Sequence, residues 1–444
     1  MKESQEFPSS KFDRSKVIAK TGFKIGTNYA KFHLQRALGK NRSPEAKKEL
    51  NRANANQLFK DFSKLRGTAL KLAQGLSLDS SMLPSEFAEV LTQSQYSVPP
   101  INKVLVRNII KQQLGDWPEN MFESFDLTAT AAASLGQVHR AVTKDGQTLA
   151  IKVQYPNVRD TIESDLSLAR IIFERIVKSE RTDAYFEEVR SKLLEETDYS
   201  IEGRQLTAFR NIYHQGNIAT PEWVEEYSTR SVLAMTWLKG KHLKDFLDTN
   251  PSQEEINHFG QLLWDFFHLQ LNDSFTVHAD AHPGNYLFMD DGRLGVLDFG
   301  CVKVCPEDFF RNYLALFVAH RDKDQDKIKQ LYYDLEILDR TEEMSDYERY
   351  FFNYTLGLGE LFVSPYNNEY FDFGDAAFLN AFNEFAKEAA SFKEPRGSKH
   401  FIFITRAHIG LYQMLIKMKA RIHITPGRER LYTFLERHGI QELV

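Results

Sequence analysis

Cysteine is almost missing from this chain: Cys301 and Cys305 are the two in 444 residues. They stand four apart, without the further Cys and His that a zinc site needs. That excludes a disulfide framework and leads us to expect buried free thiols in a reducing compartment. No apolar run approaches the roughly 18–20 residues of a membrane-spanning helix. Met1 to Ser10 is polar and carries Glu3 and Glu6, so no secretory signal is read there. Internal repeats and low-complexity segments are lacking too. The expected location is cytoplasmic, or peripheral on the inner face of a membrane, with no transmembrane segment.

What is present is an ordinary globular composition, 42% hydrophobic and 26% charged, with 34 Phe suited to large helical cores. The length is that of two or three domains. Charge is uneven. Up to Arg66 there are sixteen Lys or Arg against six acids, so the rest of the chain carries about −15 of the net −5. Between Lys16 and Lys40 no acid occurs, and Val17, Ile18, Phe23, Ile25, Tyr29, Phe32, Leu34 and Leu38 alternate with Lys and Arg. Two readings stay open for this stretch: contact with anionic lipid, or a solvated basic helix on an acidic body. Nucleic acid is disfavoured, because the basic residues sit at one end of an acidic protein.

Residues 1–45 read as weakly ordered or peripheral. Ser43 and Pro44 start a helix running to Phe62, a short helix follows over 65–76, and Ile101 to Leu114 is amphipathic. Near Met121 the texture changes. Phe122–Leu127, Gly136–Val142 and Thr148–Gln154 read as strands, with Ala131-Ala132-Ala133-Ser134 as a small-residue turn. Period two places Ala150 and Lys152 on one face of the third strand, where the Lys could pair with phosphates and the Ala receive a flat base. Helical patterns follow at Val158–Val177 and Ala184–Arg210. Ser231–Trp237 is an apolar strand, and Gln253–Leu271 is a helix. After Gly300 the pattern is nearly all helical.

The densest stretch runs from His278 to Gly300. Tyr286–Met289, Asp290-Asp291-Gly292 and Arg293–Leu297 spell a β-hairpin. A two-residue Asp291-Gly292 turn would set Asn285 opposite Asp298 at its mouth. With Asp280 on the preceding loop, that mouth would suit a hard octahedral cation carrying phosphates.

In order, these pieces form the parts list of the protein-kinase fold: a small-residue strand-turn-strand, a strand Lys, a helical acid, Asp followed five residues later by Asn, and Asp-Phe-Gly. The loop is alanine-rich and His-Arg-Asp is lacking, which departs from ordinary protein kinases. The chain resembles the UbiB family of atypical kinase-like proteins associated with isoprenoid-quinone biosynthesis. The resemblance rests on Lys71-Leu72-Ala73-Gln74, Ala131 to His139, Ala150-Ile151-Lys152, Glu163-Ser164-Asp165, Glu196 to Glu202, His278 to Asn285 and Asp298-Phe299-Gly300.

The resemblance implies an α+β, bilobal kinase-like fold. Residues 1–45 would be a basic segment, 46–118 a helical extension, 119–238 an N-lobe with a helical insertion, and 239–444 a helix-rich C-lobe. ATP or ADP with Mg2+ would be the cofactors. Lys152 would hold phosphates and pair with Glu196; Asp280 would act on the acceptor; Asn285 and Asp298 would bind the metal. Ala131, Ala132, Ala133 and Ser134 would cover the phosphates, while Ala150, Met235 and Trp237 surround the base. Lys71 and Gln74 would belong to a regulatory helix over the site, meeting Glu163, Asp165 and Glu202, with Ala73 standing where the family has glycine. Implied partners are nucleotide, quinone-pathway enzymes, anionic lipid and a second copy of the chain, and no nucleic acid.

Overall fold

A computed structural model of the chain describes residues 11–38, 43–65, 100–132, 135–176, 182–213, 216–271, 275–340, 343–389, 392, 396–398 and 400–439. Two units emerge. One gathers the described residues of Met1–Arg204, Glu222–Trp237 and Ala389–Pro395; the other those of Gln205–Pro221, Leu238–Glu388 and Arg396–Val444.

In the first unit the basic N-terminal stretch, expected to be weakly ordered or peripheral, is one helix over Lys11–Ala37, α1, packed on α2 (Pro44–Leu65). Ser43 caps α2 as its sequence suggests, accepting from the Ala46 N–H. The seam between the helices is a ladder of side-chain hydrogen bonds: Thr21 to Asp61, Lys24 to Gln57, Asn28 to Asn54 and Tyr29 to Asn51. A polar seam binds weakly for its area, but each bond has a single geometric solution, so it sets the register of the pair. Ile25 and Phe32 supply the apolar burial.

Helix α3 (Lys103–Leu114), capped by Asn102, leads into a mixed-length antiparallel sheet. Its strands are β1 (Phe122–Phe125), β2 (Ala131–Ala132), β3 (Gly136–Thr143), β4 (Thr148–Gln154) and, later in the chain, β6 (Val232–Thr236); their order is β1-β3-β4-β6, with β2 also on β3. Two of the four small residues read as a turn are therefore strand. Alternation in β4 sends Leu149, Ile151 and Val153 into a core with Val106, Ile109 and Ile110 of α3, all fully or almost fully buried. That leaves Ala150 and Lys152 on the opposite face, as their spacing implied. The first of the two helical patterns is one helix, α4 (Val158–Ile176), while the second, read over Ala184–Arg210, is two, α5 (Thr182–Glu196) and α6 (Tyr199–Tyr213). The break at Thr197-Asp198 restarts the helix, since the Asp198 carboxylate accepts from the Ser200 N–H.

The second unit is built on α7 (Gln253–Leu269), whose capping box joins Ser252 and Glu255. Its apolar stripe buries Phe259, Leu262, Leu263, Trp264 and Phe266. β5 (Ile218–Ala219) pairs in parallel with β9 (Leu294–Val296), which is antiparallel to β8 (Tyr286–Phe288); β7 (Thr276–His278) pairs with β10 (Val302–Val304). Helices α8 (Glu307–Asp322), α9 (Gln325–Asp334), α10 (Asp346–Val363), α11 (Ala376–Ala389), α12 (Phe401–Met418) and α13 (Thr425–Arg437) follow, with a small β11–β12 pair (Tyr370–Asp372, Arg421–His423). The nearly all-helical expectation is thus interrupted by three short strands. Among the described residues, no helix is long and apolar enough to cross a membrane.

Among the buried histidines of this unit, desolvation lowers His268 and His320 to about 4 and His408 to about 3. Each folded value lies below the unfolded value near 6.5. Their stabilising contribution is therefore complete above about pH 6.5 and drains as the pH falls toward the folded values. Each should cost on the order of 1 kcal/mol at pH 5.5, before most carboxylates protonate. Urea unfolding at pH 7.5 and 5.5 should show a clearly lower midpoint at 5.5; a level midpoint would contradict the burial.

Candidate functional site

The first unit contributes a buried ion pair. Lys152 lies on β4 opposite Leu233 of β6, and its ammonium donates to both Glu202 carboxylate oxygens at 2.8 and 2.9 Å. Lys152 is 8% exposed and Glu202 5%. The Tyr199 ring lies 5.0 Å from the ammonium. This corrects the assignment of Glu196 as partner. Because the chain breaks at Thr197-Asp198, Glu196 ends α5 while Glu202 sits in the first turn of α6. Gly203 lets that turn press against Trp223; a Cβ there would collide with the indole.

Around the pair, Ala150 faces Met235 across β4–β6, with Ala150 half-buried and Met235 buried. Trp237 is tied to the same strand through its N–H to the Thr148 carbonyl, and its ring lies 5.8 Å from the Arg140 guanidinium. Ala131 pairs with Val138 and Ala132 with Gln137 of β3. Ala133 and Ser134 lie outside the described residues, as do Lys71, Ala73 and Gln74. Of the acidic pair on α4, Glu163 is exposed and accepts from Arg190 at 2.7 Å, while Asp165 is buried.

The second unit contributes the stretch from His278 to Gly300. Its hairpin has a different register from the expected one. Partners are Tyr286–Val296, Leu287–Gly295 and Phe288–Leu294, and the Leu297 N–H donates to the Asn285 carbonyl. Asn285 therefore stands opposite Leu297, not Asp298. The turn takes three residues, Asp290-Asp291-Gly292, with Gly292 at φ +80°, the left-handed position that such a loop requires.

Tertiary contacts hold the two metal candidates. The Asn285 amide Nδ2 donates to the Asp280 carbonyl at 3.1 Å. Its amide nitrogen is thereby committed, and the oxygen is the atom left for a cation. Asp298 accepts the Gly300 N–H on Oδ1 at 2.8 Å. Its backbone carbonyl accepts from His278 Nε2 at 2.6 Å. His278 is fully buried; desolvation depresses its pKa, so the ring is neutral with its proton on Nε2, while Nδ1 has no partner. Phe299 is buried against Phe209 and His278, at 5.3 and 5.5 Å. His278 thus ties the loop before Asp280 to the Asp298 turn, a role that pattern and motif do not reveal although the residue lies in the densest stretch of the sequence.

Asp280 itself is ion-paired to Arg406 of α12. No sequence signal points to this contact, because 126 residues separate the partners. Among the described residues, no three His, Cys, Asp or Glu side chains form a ready metal cage. One amide oxygen and one carboxylate instead fit Mg2+, which keeps waters and takes further oxygens from phosphates.

Comparison with known proteins follows the same lines. The family model described as the ABC1 atypical kinase-like domain matches residues 93–332. A probable serine/threonine-protein kinase, abkA of Dictyostelium discoideum, is 27% identical over 78% of this chain and 65% of its own length. The chloroplastic protein ACTIVITY OF BC1 COMPLEX KINASE 8 of Arabidopsis thaliana is 31% identical over 69% of this chain and 42% of its own length. The mitochondrial atypical kinase COQ8 of Saccharomyces cerevisiae is 28% identical over 84% of this chain and 75% of its own. The chain spans less than two thirds of the first two of these relatives. A solved structure of Rv3197 with erythromycin, from Mycobacterium tuberculosis, superimposes with a TM-score of 0.61 at 25% identity, over 87% of this chain and 97% of that one.

Proposed function

Because the chain belongs to the ABC1 atypical kinase-like family, we propose that it is an ATP-binding, Mg2+-dependent atypical kinase or ATPase supporting isoprenoid-quinone biosynthesis at a membrane surface. The observation that carries this reading is the Lys152–Glu202 pair. A cation held at a strand by two carboxylate oxygens in a buried setting has a definite position and stays charged, which is what phosphate binding asks of it. Ala150 and Met235 then offer a flat apolar bed for the base. Asn285 and Asp298 would hold Mg2+, which supplies neutralisation of the charge developing on the phosphates. Asp280 would orient the attacking group and take its proton. Phosphoryl transfer needs little covalent help from a protein, so positioning by these residues is most of what is required.

Support for a membrane surface comes from α1. Beside its buried seam it exposes Phe23 and Leu34, 75% and 64% accessible, with Leu38 just past its end at 72%. Lys16, Lys20 and Lys31 are exposed along the same helix. Apolar anchors among lysines, with no acid from Lys16 to Lys40, complement an anionic bilayer. A small-molecule or lipid phosphotransferase and a nucleotide-sensing scaffold remain the alternatives. The test is ATP turnover by the full chain in Mg2+ against EDTA, with and without anionic or neutral liposomes. Mg2+-dependent turnover, with salt-sensitive binding to anionic vesicles alone, is expected. No turnover with tight Mg2+-ATP binding would favour the scaffold, and equal binding to neutral vesicles would remove the membrane role of α1.

A further inference from the structure

Three consecutive loop residues are met by one face of α12. Phe403 packs with Ala279 and Cys301 in a buried apolar cluster. Arg406, one turn on, donates from Nη2 to Oδ1 of Asp280. Gly410, a further turn on, lies so close to Ala281 that a Cβ would meet the Ala281 methyl at 2.6 Å and its carbonyl oxygen at 2.8 Å. The spacing 403, 406, 410 is that of a single helix face, so Ala279, Asp280 and Ala281 are read off in turn by one rigid element. The loop has little scaffold of its own: between β7 and β8 its regular structure is a single 3-10 turn, Pro283–Asn285. Helix α12 lies outside residues 93–332, the span matched by the family model.

We propose that Arg406 is a positioning residue for Asp280, and that α12, through Phe403, Arg406 and Gly410, is the template on which the loop is set. This rests on the phosphoryl-transfer reading above. Arg406 takes a side-chain oxygen of Asp280, and the Asn285 amide takes its backbone carbonyl. The carboxylate is thus held before any acceptor arrives, and misplacement of such a group by about 1 Å costs on the order of a hundredfold in rate. Glycine at 410 is required by the close approach; a larger residue would push the helix off the loop.

The test uses the full chain and the variants Arg406→Met, Arg406→Lys, Gly410→Ala, Asp280→Asn and Arg406→Met with Asp280→Asn. Arg406→Met should lower kcat for Mg2+-ATP on the order of a hundredfold while leaving KM for ATP nearly unchanged. Arg406→Lys, which keeps the charge, should recover part of that loss. The double variant should be no slower than Asp280→Asn alone, since the arginine acts through the aspartate. Independently of turnover, hydrogen exchange over 278–285 should speed up about tenfold in Arg406→Met and Gly410→Ala, with β3 and β4 unchanged. Additive losses in the double variant, or unaltered exchange in that segment, would overturn the proposal. If the wild type turns over no ATP, the phosphoryl-transfer reading fails, and the exchange measurement still decides whether α12 sets the loop.

Discussion

Glu202→Gln should lose about 3–5 kcal/mol of unfolding free energy, because it leaves the buried Lys152 ammonium without its counter-charge. Lys152→Met should be penalised similarly for the carboxylate it strands. The informative variant is the combination Lys152→Met with Glu202→Leu. Replacing a buried ion pair by apolar residues of similar bulk is often close to neutral, so this protein should regain most of its stability. It should still bind no Mg2+-ATP and turn none over, since the phosphate-binding cation is gone. Urea unfolding and a turnover assay on the four proteins separate the two effects. A double variant as unstable as the worse single one would mean that Lys152 and Glu202 are not coupled as the structure shows. A double variant that still turned over ATP at the wild-type rate would remove Lys152 from the mechanism.

Asp298→Asn carries the second large effect, and it should spare the fold. An asparagine keeps the oxygen that accepts the Gly300 N–H, and the carbonyl that receives His278 Nε2 belongs to the backbone. What disappears is the negative charge, and with it a hard ligand for Mg2+. Turnover should fall on the order of a thousandfold, the equivalent of several kcal/mol of lost charge stabilisation. The thermal midpoint without ligand should stay near that of the wild type, while the upward shift given by Mg2+-ATP should vanish. Asp280→Asn makes the contrast: turnover should drop, yet the Mg2+-ATP shift should persist, because Asp280 would act on the acceptor and not on the metal. If Asp298→Asn retained the full Mg2+-ATP shift, the metal would have to sit elsewhere.

Local features of the fold are legible in the residues alone. Strand β4 is readable because its alternation is strict, and burial of Leu149, Ile151 and Val153 follows from period two. The N-terminus of α2 is readable from Ser43-Pro44, since capping is a local matter between neighbours in the chain. Of the two expectations for residues 1–45, weakly ordered or peripheral, the helix Lys11–Ala37 departs from the first, because a lone basic helix gives no sign of the elements that cover it. Here those elements are α2 and α4, and Asn51, Asn54, Gln57 and Asp61 of α2 look like an ordinary solvated face until α1 lies on them.

The sequence by itself determined the chemistry present: a strand lysine, a choice of helical acids, an aspartate and an asparagine five apart, and Asp-Phe-Gly in kinase order. It determined the hairpin as well. Tertiary structure alone decided which groups meet. A helix break at Thr197-Asp198 brings Glu202 and not Glu196 to Lys152, and one extra turn residue sets Asn285 opposite Leu297. An arginine 126 residues downstream takes hold of Asp280. Composition and period report which face of an element is buried. Register and long-range pairing depend on single-residue offsets and on chain closure, to which a local pattern is blind.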